Sequence, residues 1–194
     1  MMLPLLSAER LASGQNFQEF LASAQKNAEL WAAIYRTATV PEGAVERASR
    51  IPGSWHLVAL SEDWCGDAVN TLPVLAKFVE RTPNLSLTVF GRDANPDLMD
   101  SHRTGAARAI PVIIVLDEQL VKHGWWGPRP KVLQEWFASV GVGLEKTERY
   151  KQIRMWQARD RGRTTVDEVL TIVEAGALAV AAARTASTSA AATE

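Results

Sequence analysis

Trp64-Cys65-Gly66-Asp67-Ala68 is the stretch on which the reading of this chain turns. An apolar run, Leu57-Val58-Ala59-Leu60, leads into it, and Val69, Leu72, Leu75, Ala76 and Val79 follow at helical steps. The pattern predicts a strand that ends, a tight turn at Gly66 and a helix that begins. Cys65 is the single cysteine of the chain. A thiol at a helix start faces unpaired backbone N–H groups and the positive end of the helix dipole. Both favour the thiolate, which is the nucleophilic form. The competing reading is a small buried apolar side chain, because free cysteine is among the most buried residue types. The position between strand and helix favours the reactive one, with the sulfur accessible beside Gly66, where little side-chain bulk covers it.

Further landmarks stand at ordered intervals. Pro73 lies eight residues after Cys65, Asp93-Ala94-Asn95-Pro96 opens a second helix, Gly105-Ala106-Ala107-Arg108-Ala109-Ile110-Pro111 precedes an aliphatic run, and Gly127 stands before a last amphipathic stretch. Together these residues resemble the thioredoxin family over roughly residues 55–140. Trp64, Cys65 and Gly66 match the start of that family's Trp-Cys-Gly-Pro-Cys motif, and Ile110-Pro111 matches its cis-proline segment. The resemblance implies an α/β, thioredoxin-like fold: a central mixed sheet flanked by helices. It also implies a site in which Cys65 is the reacting residue and Trp64, Gly66, Asp67, Ile110, Pro111 and Gly127 contact the substrate.

The match departs from the family where the chemistry is completed. Asp67 stands in place of the motif's proline and Ala68 in place of its second cysteine, so no intramolecular disulfide can form. The buried aspartate and lysine that assist the resolving step in thioredoxins correspond here to Ala59 and about Val89. The resemblance therefore implies single-thiol chemistry: Cys65 forms a mixed disulfide with a protein or a low-molecular-weight thiol or disulfide, and an external thiol resolves it. The alternative is a redox-inactive module that binds proteins through Trp64, Ile110, Pro111 and Gly127. A glutaredoxin-like role with an iron–sulfur cluster ranks last, since Asp67 is a poor substitute for the apolar residue of Cys-Gly-Phe-Ser. No cofactor is expected.

Around the core, periodicity predicts extensions. Residues 1–54 read as a helical N-terminal unit, with one helix over 15–37 carrying Phe17, Phe20, Leu21, Trp31, Ile34 and Tyr35 on one stripe. Residues 55–142 read as the core: strand, helix, strand, helix, strand, strand, helix, with Val132, Leu133, Trp136 and Phe137 facing inward on the last. Residues 143–183 read as a helical C-terminal unit. Its charged helix over 144–161 presents a solvated face and buries Tyr150, Ile153, Met155 and Trp156. The Ala/Thr/Ser-rich tail over 184–194 has little to bury and reads as disordered.

Composition excludes several classes. The chain has 194 residues with a formal net charge of −1, which gives no electrostatic case for nucleic acid or an anionic membrane. No run approaches a membrane span of about 20 residues. The start, Met1-Met2-Leu3-Pro4-Leu5-Leu6, is too short for a signal h-region. With one unpaired thiol, a cytoplasmic location is expected. His56, His102 and His123 lack the short ligand spacing of zinc sites. His102 or Arg108 is a candidate to approach Cys65, Arg108 more readily anchoring its own loop. Glu62, Asp63 and Asp67 are expected to oppose the thiolate. Trp125-Trp126 is a candidate groove lining beside Cys65.

Overall fold

The computed structural model describes residues 6–191; the start over residues 1–5 and the tail over 192–194 lie outside the described residues. Four strands form one mixed sheet in the order β2-β1-β3-β4: β1 (Trp55–Ser61), β2 (Leu85–Gly91), β3 (Val112–Leu116) and β4 (Lys122–Trp126). β1 runs parallel to β2, from Trp55 opposite Leu85 to Ser61 opposite Gly91. β3 is antiparallel to β1, and β4 to β3. A parallel pair needs a crossover, and the helix after Cys65 supplies it.

Burial follows sheet position. All five residues of β3 are buried, as is β1 except for His56, so the central pair reads as continuous aliphatic sequence. β4, at the edge, begins with exposed Lys122 and ends with buried Trp126. The crossover helix α5 (Ala68–Glu80, numbered after four N-terminal helices) buries residues on most of its circumference, including Ala68, Leu72, Pro73, Leu75 and Phe78. α6 (Pro96–Asp100) follows β2, and α7 (Lys131–Ser139) follows β4. On α7, Leu133 is buried but Val132 points to solvent, correcting the expected inner face.

The N-terminal unit comprises α1 (Ala8–Ala12), α2 (Phe17–Ser23), α3 (Ala28–Thr37) and α4 (Glu42–Ser49). The single helix expected over 15–37 is thus two. The Asp63 carboxylate accepts the N–H groups of Gln25 and Lys26, both at 2.8 Å, and Asn27 adopts φ +55°. Those donors serve the active-site loop instead of continuing a helix. Asn16 and Glu19 cap α2 reciprocally.

The C-terminal unit comprises α8 (Lys146–Asp160), entered through a 3-10 turn at Gly141–Gly143, and α9 (Arg163–Ala191). Of the stripe expected on α8 only Ile153 is buried; Tyr150 and Met155 remain exposed and Trp156 half-buried. α9 packs on β3, β4, α4 and α5 and buries Val166, Val169, Leu170 and Val173. A Cβ on Gly176 would lie 2.8 Å from the rings of Trp55 and His123, so the helix backbone reaches the sheet only because none is there. The tail expected to be disordered continues α9 as far as Ala191. Its alanines lose little side-chain entropy in a helix. Among the described residues no helix is long and apolar enough to cross a membrane.

Candidate active site

Cys65 sits between the end of β1 and the start of α5. Its backbone N–H donates to the Glu62 carbonyl at 3.1 Å, closing the turn, and its carbonyl accepts from Val69 N–H at 3.1 Å. The Sγ–H donates to the Ile110 carbonyl at 3.4 Å, and Sγ accepts from Ala68 N–H at 3.5 Å. Only 7% of the residue is exposed. Burial pushes the thiol above its ordinary range, and the Asp67 charge pushes the same way; the Ala68 and Asp67 N–H groups and the Arg129 guanidinium pull it down, and burial prevails. The expectation of an accessible sulfur at the helix start is therefore corrected: the neighbouring Gly66 leaves room, but the residue itself is buried.

The largest departure concerns Asp67. It stands at the helix start without capping it. Its carboxylate turns to the Arg129 guanidinium at 2.6 Å and accepts from Gln157 Nε2 at 2.9 Å. Both Asp67 and Arg129 side chains are 10% exposed. Burial pushes the Asp67 carboxyl upward against the pull of Arg129 and Gln157. Arg129 lies against the Phe137 ring, 4.4 Å from its centroid, which fixes the plane of the guanidinium. Asp67 is thus held in a largely buried ion pair.

A cleft of about 450 Å³ opens over the sulfur. Trp64, Cys65, Gly66, Asp67 and Ile110 line it, so five of the residues read from the sequence meet there. Pro111 and Gly127 stand behind the wall. The Ile110–Pro111 peptide is cis. Gly127 adopts φ +136°, and a Cβ there would approach the Pro111 carbonyl oxygen to 2.1 Å; any other residue would push this segment away from Cys65. Trp64 is half-exposed, with the Arg92 guanidinium 4.8 Å from its ring centroid.

Several expected neighbours are elsewhere. Glu62 accepts Asp93 N–H at 3.0 Å, and Asp63 caps the N-terminal segment as above. His102 is buried, with Nδ1 2.7 Å from the Leu98 carbonyl and its ring edge-on to Trp125. Arg108 grips Asp100 through two contacts of 2.7 Å, anchoring its own loop, while also reaching the cleft. Trp126 donates Nε1–H to Glu168, and neither Trp125 nor Trp126 lines the cleft. His56 and His123 pair with Ser86 and Asp117.

The residues that reasoning from sequence missed are Arg92, Arg129, Arg154 and Gln157, all in the cleft wall. Arg129 carried a signal: it lies between two prolines, two residues beyond Gly127. Gln157 meets Asp67 across 90 positions, which no local pattern reveals. Below the site, Ala59 and Val89 are register partners on β1 and β2, both buried. Both are apolar, so neither carries a proton to move.

Comparison with known proteins agrees with this geometry. A crystal structure of a Pseudomonas aeruginosa protein of unknown function superposes with a TM-score of 0.67 at 22% identity, covering 88% of this chain and 99% of that one. An HIV epitope-scaffold superposes with a TM-score of 0.66 at 22% identity, covering 87% and 98%. At these identities the likeness is one of fold. No curated protein matches the chain. The thioredoxin family model matches residues 14–150, from the approach to α2 through the active-site turn into α8, and the chain belongs to the thioredoxin family.

Proposed function

We propose that the protein carries out thiol–disulfide exchange through one thiol. Cys65 attacks a disulfide, holds one half as a mixed disulfide, and an external thiol releases it. The observation that carries this reading is the placement of Sγ in the cleft wall between Ala68 N–H and the Ile110 carbonyl. The first supplies a donor to the thiolate, and the second marks the backbone beside which a disulfide would lie. Ala59, Val89 and the alanine at position 68 offer no internal group to expel the bound half. Exchange of this kind fits a protein or low-molecular-weight partner in the reducing cytoplasm.

A second reading has its own support: the buried thiol with its raised pKa suits a module that binds proteins through Trp64, Ile110, Pro111 and Gly127 without reacting. Intact mass after exposure to a small disulfide separates the two. Exchange predicts one adduct, absent in Cys65→Ser and removed by added thiol. Partner capture that survives both Cys65→Ser and reduction, with no adduct on the wild type, supports the binding module instead.

A further inference from the structure

Four arginines line the cleft over Cys65: Arg92, Arg108, Arg129 and Arg154. The only carboxylate among the lining residues is Asp67. The chain as a whole is nearly neutral, at −1, so this concentration of one sign is local. The four do not stand alike. Arg129 is committed to Asp67, yet its Nε, buried with the rest of a side chain that is 10% exposed, has no hydrogen-bond partner among the described residues. Arg92 and Arg108 contact Asp93 and Asp100, and both of these carboxylates lie outside the cleft lining. Arg154, exposed on α8, makes no hydrogen bond or ion pair within the described residues. A long cationic side chain left unpaired above a reactive group is a docking point for an anion, and guanidinium suits a carboxylate through its two-pronged donor geometry.

We propose that Cys65 is selective for small anionic disulfides, those carrying carboxylates flanking the S–S bond, and that Arg154 is the principal specificity determinant. This rests on the exchange reading of Cys65. The Cys65 thiolate attacks one sulfur of R–S–S–R, the S–S bond breaks, a Cys65–S–S–R bond forms, and R–S⁻ leaves to take a proton from water. A second low-molecular-weight thiolate then attacks the mixed disulfide, restoring the Cys65 thiolate and releasing the new disulfide. The carboxylates of R meet Arg154 and the outer faces of Arg92 and Arg108, while the carbon chain lies along the Trp64 ring.

The test is a charge series of disulfides: dianionic 3,3′-dithiodipropionate, neutral bis(2-hydroxyethyl) disulfide and dicationic cystamine. Adduct formation on the full-length protein is followed by intact mass. Each rate is divided by that of the same disulfide with 2-mercaptoethanol, which removes differences in leaving-group chemistry. At low salt the normalised rate for the dianion should exceed that for the neutral compound by about 3–10-fold, the size expected of one or two unit charges a few ångströms apart near a wet surface. The dication should fall below the neutral compound. The preference should shrink as ionic strength approaches about 0.15 M and the Debye length falls to about 8 Å. Arg154→Gln should narrow the dianion-to-neutral ratio at least about twofold, by loss of one such charge. Arg159→Gln, on the same helix but outside the cleft lining, should not change it. Equal normalised rates, a cation preference, or a ratio unmoved by Arg154→Gln would overturn the selectivity while leaving thiol exchange standing. Absence of any adduct with all three disulfides overturns both.

Discussion

At the scale of single residues, the site is set by which groups face the sulfur and which are turned away. Asp67 is the one carboxylate that acts on Cys65, raising its pKa, and it also occupies Arg129, which lowers it. Asp67→Asn therefore removes an unfavourable charge and frees a favourable one. Its alkylation profile with iodoacetamide should move to lower pH than the wild type's, and an upward move would show that the Asp67–Arg129 pair does not govern the thiol. The thiol's raised pKa also bears on stability. A group protonated more tightly in the folded state stabilises fully below its unfolded pKa, and that contribution disappears as pH rises through the folded value. Gly127 is a different kind of residue. Alanine there must adopt φ +136° and meet the Pro111 carbonyl at 2.1 Å. Gly127→Ala should cost at least about 3 kcal/mol, combining backbone strain with overpacking, measured by urea unfolding.

At the scale of elements, the N-terminal helices hold the active-site loop in place. Trp31 is fully buried, packs edge-on against Phe20 and donates Nε1–H to the Asp63 carbonyl at 2.8 Å, one residue before Trp64. Trp31→Ala should lose about 3–5 kcal/mol, as large aromatic truncations do. Trp31→Phe should lose less, retaining the packing but leaving the Asp63 carbonyl without that donor. If Trp31→Phe unfolds at the same denaturant concentration as the wild type, the hydrogen bond contributes nothing. A second tie joins α1 to α6, where Arg10 donates to Asp97 at 2.8 Å and holds its carboxyl down at about 2. A depressed carboxyl stabilises above its unfolded pKa and loses that contribution as pH falls through the folded value. Asp97 is 52% exposed on its side chain, so solvent screening limits the effect to about 1 kcal/mol or less. Between pH 4 and 2, Asp97→Asn should show a shallower loss of stability than the wild type; equal slopes would remove the tie from the account.

At the scale of the whole molecule, the C-terminal unit supplies part of the cleft wall. α8 brings Tyr150, Ile153, Arg154 and Gln157 to the cleft, and Ile153 is 1% exposed there. Ile153→Ala removes three carbons from that cover. Alkylation of Cys65 should become faster at a fixed pH, by a larger factor for N-ethylmaleimide than for the smaller iodoacetamide. An unchanged ratio between the two reagents would mean that α8 does not limit access.

Local sequence determined the core order, because period-two and 3.6-residue patterns are written within a few neighbouring positions. The continuous aliphatic run of β3, the turn at Gly66 and the proline-led start of α6 each carry their own physical reason. The same local reading brought Trp64, Cys65, Gly66 and Ile110 to one place through the family resemblance. It failed where a group is satisfied by a distant partner. The helix break at residues 24–27 depends on Asp63 taking two backbone donors, and α8 brings Ile153 to the same cleft as Cys65. Asp67 read as a free charge because Arg129 and Gln157 lie 62 and 90 positions away. Hydrophobic patterning shows which face of an element is buried, but not what covers it. The identity and charge of the covering side chains were decided by tertiary packing, and they set the thiol's pKa, its exposure and the cationic lining of its cleft.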